Sequence, residues 1–309
     1  MKFVLRVVFR GPLTADDPAM SSRPTVIAAA AAPFGRDLDA VFARVEALLA
    51  QARAAGAGLL VLPECALGGY LREADPDGGA LDLPPALDPD GPEIDRLIRL
   101  AGDVVVCAGY TEAGPAGMYS SAVCVTGDGV LGHHRKVHLP PAERFAYTAG
   151  DGFAAFDTPA GRIGMLICYD KLFPEASRAL ALDGADVVCC LAAWPVDRLD
   201  PARRVRDDRQ TRHFDVTDCA RAVENQVVWV ASNQTGPWGH LRFLGGAKVV
   251  DPDGVVRART GPRGGLAVAA LDVRGEVDRS RAVIDHLADR RPDAYALHEA
   301  RAAAGGLVP

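Results

Sequence analysis

Short apolar strands alternate with segments of helical period through most of this 309-residue chain, and that alternation restricts it to layered α/β folds. Thr25 to Ala31 reads as the first strand. From Asp37 to Ala55, Val41, Val45, Leu48 and Leu49 share one helical face and Gly56 supplies a stop, after which an apolar run ends at Pro63-Glu64. Pro92 to Ala101 reads as a second helix. Strands are expected at Val104–Tyr110 and Ser120–Thr126, with Gly127-Asp128-Gly129 turning the chain back toward Lys136. A turn at Pro159-Ala160-Gly161 precedes an apolar strand that ends at Cys168. Beyond Pro174 the pattern predicts a helix ending at Gly184, a strand over Asp186–Ala192, a helix over Gln210–Glu224 and a strand over Val227–Ser232. A hairpin at Asp251-Pro252-Asp253-Gly254 and a strand over Leu266–Val273 close the unit. Hairpins among strand-helix units imply two mixed sheets with helices outside. Ala74 to Asp90 is a loop rich in Pro, Gly and Asp.

Composition narrows the function. The chain is 49% hydrophobic and 24% charged, which suits one large core, read here as a single domain over residues 25–275. A net charge of -6 argues against a nucleic-acid partner, and no apolar stretch approaches the roughly 20 residues needed to cross a bilayer. Seven cysteines, an odd number without CxxC spacing, do not form a secreted disulfide framework, and a reducing cytoplasm is the expected location. Residues 1–24 carry no clean signal-peptide core; they are expected to be a disordered extension, with Met20 as an alternative natural start. The tail, 276–309, has no evident core role.

Cys168 stands where its strand breaks into the turn and helix start Tyr169 to Glu175. Such a position holds a side chain outward, and the local N–H groups and helix terminus favour thiolate. The Tyr169 N–H is a candidate donor to a developing oxyanion. Alone, a cysteine in an apolar run reads as a small buried hydrophobe. Glu64 and Lys136 change its weight, because each also closes an apolar or strand-like run, and strand ends in a layered sheet collect in one cleft. An isolated Glu64 would be a surface carboxylate, but the run before it is too apolar for a surface strand. The basic cluster His133 to His138 by itself reads as a solvated face. His134 and His138 have the i, i+4 spacing of a metal pair. The prolines at 140 and 141 disfavour the necessary helix, and no Cys pair or acidic partner joins them, so no metal or cofactor is expected.

In this order Glu64, Lys136 and Cys168 resemble the triad of the nitrilase superfamily of carbon-nitrogen hydrolases. The resemblance is carried by Leu62-Pro63-Glu64 with Gly68-Gly69-Tyr70, by Arg135-Lys136 with Leu139, Glu143, Phe145 and Gly150, and by Cys168-Tyr169-Asp170 through Phe173-Pro174-Glu175. Arg221 to Asn225 and Ser232-Asn233 add weaker matches, so the likeness spans residues 25 to 275. The family's usual Gln after the first strand is missing from Ala28 to Pro33. The resemblance implies a four-layer αββα sandwich, two mixed β-sheets flanked by helices, paired as a homodimer or higher oligomer with the tail reaching over a partner subunit. It also implies a Cys168 thioester, Glu64 as general acid and base, Lys136 stabilising the oxyanion, and Glu143 as a second, positioning glutamate. The alternative for Glu143 is a surface partner of Arg144.

Tyr169-Asp170 with Phe173-Pro174-Glu175 resembles amidases and N-carbamoyl hydrolases more than true nitrilases, which carry Trp-Glu there. A small-molecule amide or carbamoyl substrate is therefore expected, in a pocket drawn from Tyr70, Phe145, Lys171 and Trp194, with Tyr147 as a further candidate. Lys171-Leu172 stands where carbamoyl-amino-acid hydrolases carry arginines, which disfavours that class. Trp194 reads equally as core. The rivals are a nitrilase acting on a nitrile, a Cys-His hydrolase using His134 or His138, and a catalytically silent scaffold.

Overall fold

The computed structural model describes residues 24–73 and 81–295. The expected N-terminal extension up to residue 23, part of the Pro/Gly/Asp loop and the tail from 296 onward lie outside the described residues.

The chain opens with β1 (Thr25–Ala32), α1 (Leu38–Ala54) and β2 (Leu59–Val61), passes a short hairpin of β3 (Arg72–Glu73) and β4 (Leu81–Asp82), and continues through α2 (Pro92–Ala101). Three antiparallel strands follow, β5 (Val105–Gly114), β6 (Gly117–Thr126) and β7 (Gly129–Arg135). The second half holds β8 (Ala155–Thr158), β9 (Gly161–Ile167), α3 (Pro174–Leu182), β10 (Val187–Ala192) and α4 (Arg209–Asn225). After these come β11 (Val228–Trp238), β12 (Leu241–Leu244), β13 (Lys248–Val250), β14 (Val256–Arg259), β15 (Gly265–Leu271) and α5 (Val273–Arg281).

Local chemistry explains the elements. The Asp37 carboxylate accepts from the N–H groups of Asp39 and Ala40 and starts α1, whose Val41, Val45, Leu48 and Leu49 are buried as the spacing predicts. Gly56 follows at φ +76, a conformation that costs glycine little. The predicted strand at 227–232 runs on to Trp238, because its far end pairs with β12.

Alternation along the strands builds the layers. On β1, β2 and β5, Ile27, Ala29, Leu59, Val61, Val105 and Cys107 face the interior of the sandwich, whereas Ala28, Ala30, Leu60, Leu62, Val106 and Ala108 pack under α1 and α2. In the other half, Gly164 lies against Leu180 of α3, so Ile163, Met165 and Ile167 face inward. The result is a mixed α/β sandwich with helices on both outer faces, as expected. Hydrogen bonding nevertheless links the halves into one path, β7-β6-β5-β2-β1-β11-β10-β9-β8, because β1 and β11 run parallel at a seam of two residue pairs, Ala31 with Asn233 and Ala32 with Gln234. The start of the tail has a core role that its sequence hides: α5 crosses position 275 and buries Val277. No helix among the described residues is long and apolar enough to cross a membrane.

Candidate active site

Glu64 follows the end of β2, Lys136 follows β7, and Cys168 follows β9, so the topology brings three strand ends to one edge of the sandwich. There Lys136 Nζ donates to Glu64 Oε1 at 2.7 Å and to Glu143 Oε1 at 2.7 Å. Glu64 Oε1 also accepts from Ser120 Oγ at 3.3 Å, and Glu64 Oε2 accepts from the Ala193 N–H at 2.9 Å. Cys168 shares the cavity with Glu143 and Ala193, and the charges of Glu64, Lys136 and Glu143 all act on its thiol. Tyr70 Oη donates to Glu143 Oε1 at 2.6 Å. Glu64, Lys136 and Glu143 are all buried, so Glu143 is not a surface partner of Arg144, which instead donates to the Leu139 carbonyl.

Burial governs the electrostatics. The Cys168 thiol is pushed well above its ordinary value, first by burial and then by Glu64, with Lys136 acting against them. The thiolate expected from the helix start is therefore not the resting form, because loss of solvent outweighs the local backbone field. Lys136 keeps its proton: burial acts to lower its pKa but is outweighed by the two carboxylates. Burial raises Glu143 to about 7, with the Glu64 charge adding and Lys136 and Tyr70 opposing. Glu143 Oε2 is buried with no partner among the described residues, and Glu143 lines the cavity above the thiol.

That cavity encloses about 420 Å³ and has mainly apolar walls: Leu172, Trp194, Pro140, Pro141, Tyr169 and Leu241 stand around Tyr70, Glu143 and Cys168. Two expected pocket residues are elsewhere. Phe145 is 85% exposed, because the single 3₁₀ turn Glu143–Phe145 points Glu143 inward and the residue two positions on outward. Lys171 is fully buried and donates to Asp218 Oδ1 at 2.9 Å, with its ammonium 3.3 Å from the Phe214 ring centroid and 4.7 Å from that of Trp194. It supports the pocket wall from behind rather than touching the cavity. Tyr147 is buried, its hydroxyl 3.1 Å from Thr111 Oγ1. His134 and His138 both face the Asp170 carboxylate and Phe153, and His138 also stacks on Phe173. Among the described residues, no group of three or more His, Cys, Asp or Glu is arranged to hold a metal ion.

Several contributors have no signature in the sequence. Ser120 and Ala193 reach Glu64 only through folding. Gln210 was legible as part of a helix but not as the acceptor of the Trp194 indole N–H at 2.9 Å, which fixes the pocket wall. Where the family's Gln is absent, Gln234 joins the ends of the two halves, accepting from the Phe34 N–H at 3.0 Å and donating to the Glu64 carbonyl at 3.1 Å.

Gly109 on β5 is another hidden determinant. A Cβ there would lie 2.6 Å from Glu64 Cα and 2.6 Å from the Cys65 nitrogen, so any side chain pushes Glu64 away from its strand. Gly109→Ala should lower kcat by about 10²-fold through misplacement of Glu64. Steady-state kinetics beside a thermal melt check this, and a folded variant with kcat within threefold of wild type would refute it.

Comparison with known proteins identifies the family and the fold. The family model described as carbon-nitrogen hydrolase matches residues 26–278. The chain is 35% identical to an (R)-stereoselective amidase from Pseudomonas sp. over 83% of its length and 88% of the relative. It is 32% identical to a nitrilase from Pyrococcus abyssi, covering 83% of this chain and 93% of the relative. The crystal structure of a carbon-nitrogen hydrolase from Helicobacter pylori G27 superposes with a TM-score of 0.75 at 23% identity, covering 88% of this chain and 97% of that one, which establishes the shared fold. With the family model spanning nearly the whole described sandwich, the chain belongs to the carbon-nitrogen hydrolase family, the nitrilase superfamily, and is a hydrolase of its amidase-like branch acting on carbon-nitrogen bonds other than peptide bonds.

Proposed function

We propose that the protein hydrolyses small amides through a Cys168 thioester, and that a neutral amide with an apolar acyl group is its preferred substrate. The observation that supports this reading is the buried cluster at the strand ends, in which Glu64 is bonded to the Lys136 ammonium and both charges act on the buried Cys168 thiol. A neutral thiol is a poor nucleophile and needs a base at hand. Glu64 takes the thiol proton as sulfur attacks the carbonyl carbon. Lys136 and the Tyr169 N–H meet the charge growing on oxygen. The C–N bond then breaks as Glu64 returns the proton to nitrogen, and ammonia or an amine leaves. Water attacks the thioester with Glu64 again as base, the C–S bond breaks, and the acid departs as the thiol is re-formed. Glu143 Oε2, buried without a partner among the described residues, is assigned to orient the substrate's amide nitrogen.

The apolar walls and the sequestration of Lys171 by Asp218 support the substrate preference. Lys171 is taken up by Asp218, but Arg198, His213 and His240 also line the cavity, so N-carbamoyl amino acids stay in the test. The 32% identity to a nitrilase keeps nitriles in the test. Ammonia release should be compared across hexanamide, benzamide, an N-carbamoyl amine, an N-carbamoyl amino acid and benzonitrile, with Cys168→Ala as the blank. Cys168-dependent release from the amides is expected. Activity confined to the nitrile, or release that survives Cys168→Ala, would overturn the reading.

A further inference from the structure

We infer that Asp170, held by His134 and His138, is a positioning residue that sets the distance between the nucleophile's turn and the strand end carrying Lys136. The inference rests on the reading of Cys168 as nucleophile and adds a part to it that no sequence motif assigns.

Cys168 adopts φ +48, a left-handed conformation that a side chain disfavours by about 1 kcal/mol or more, so something must hold it there. Asp170, two residues on and fully buried, does so from one side: its Oδ2 accepts from the Ile167 N–H at 3.1 Å, closing the turn across the cysteine. The same carboxylate reaches the other chain segment. Oδ1 accepts from the His138 N–H at 2.8 Å and lies 2.9 Å from His138 Nδ1, while Oδ2 lies 3.3 Å from His134 Nε2. Because a carboxylate only accepts, both ring nitrogens donate. His134 lies at the end of β7 and His138 in the bend that follows it, so the brace grips the segment before and after Lys136. Stacking fixes the rings as well. His138 lies on Phe173 at 3.6 Å between centroids and 8° between planes, and His134 stacks on Phe153 at 5.5 Å. One buried group thus ties the residue before the nucleophile to the residues two before and two after Lys136.

This arrangement gives the histidines a role as donors and not as bases. It predicts a pattern that amide isosteres resolve, since a glutamine amide nitrogen replaces a histidine Nε2 and an asparagine amide nitrogen replaces Nδ1. His134→Gln and His138→Asn keep the donor to Asp170, whereas His134→Asn and His138→Gln withdraw it. The probe is iodoacetamide, which forms an S–C bond at Cys168 with loss of iodide and passage of the thiol proton to Glu64; peptide mass mapping separates this site from the other cysteines. Alkylation rate, kcat and KM for the amide that turns over, and the thermal midpoint are measured together.

The expected result is that the donor-keeping pair retains alkylation and kcat within about threefold, while the donor-lacking pair and Asp170→Asn lose about 10²-fold in kcat with KM nearly unchanged. Should Asp170→Asn fail to fold, the four histidine variants still decide. Wild-type rates in the donor-lacking pair overturn the brace. Equal loss in both pairs also overturns it, because the imidazoles would then act in their own right. If wild-type Cys168 is no more reactive than Cys219, or Cys168→Ala still turns over, the nucleophile assignment fails instead.

Discussion

In the Glu64→Gln variant, amide turnover should fall by about 10²–10⁴-fold while the fold and the Cys168 thiol persist. Glutamine keeps the shape of the side chain and its oxygen can still accept from the Ala193 N–H or from Lys136, so packing changes little. It cannot take a proton. Burial and the neighbouring negative charge already hold the thiol well above its ordinary pKa, and without a base almost none of it becomes nucleophilic near neutral pH. Removing Glu64 also removes a negative charge that raises the thiol pKa, a partial compensation that limits the loss. Rapid mixing should reveal no burst of acyl-enzyme, and the remaining rate should climb with pH as the thiol ionises unaided. A variant turning over within tenfold of wild type would remove Glu64 from its assigned role.

Asp218→Asn should produce the largest loss of stability, about 3–5 kcal/mol, because one buried carboxylate there holds two buried ammoniums. Lys171 Nζ lies 2.9 Å from Oδ1 and Lys248 Nζ 2.6 Å from Oδ2, with the Phe214 ring against both cations. The Trp229 indole N–H also donates to Oδ1 at 2.9 Å. Asparagine turns one acceptor into a donor facing a cation. The pH dependence identifies the cause. Burial lowers the Lys171 pKa, so the unfolded chain holds a proton that the folded chain releases more easily, and stability from this group rises with pH. Without Asp218 that depression deepens, and the deficit against wild type should shrink as pH is raised from about 7 toward 10. Urea unfolding at several pH values measures it; a deficit constant with pH would mean that lost packing dominates. The same variant should raise KM, since Lys171 lies behind Trp194.

The parts of the site that were legible in the sequence share a property: each follows the end of a strand, and the sheet determines where a strand end goes. Glu64, Lys136 and Cys168 are of this kind. Lys171 was misplaced because its environment depends on Asp218, 47 residues away on α4, and nothing near a lysine reveals a distant counter-charge. Phe145 was misplaced for a local reason, the tightness of one 3₁₀ turn. The layered architecture followed from the alternation of elements, but the seam between β1 and β11 did not, since two pairs of residues leave no periodic trace.

The seam lies beside a run of alanines, and this gives the thickness of the sandwich a chemical meaning. Glu64 and Lys136 belong to one half and Cys168 to the other, and Ala29 and Ala31 lie in the same interior cluster as Cys168. Side-chain volume in that interior therefore sets how closely the two halves approach. Leucines in place of those fully buried alanines would overpack the interior and force the halves apart, so smallness at this point serves the spacing of the site as well as the fold.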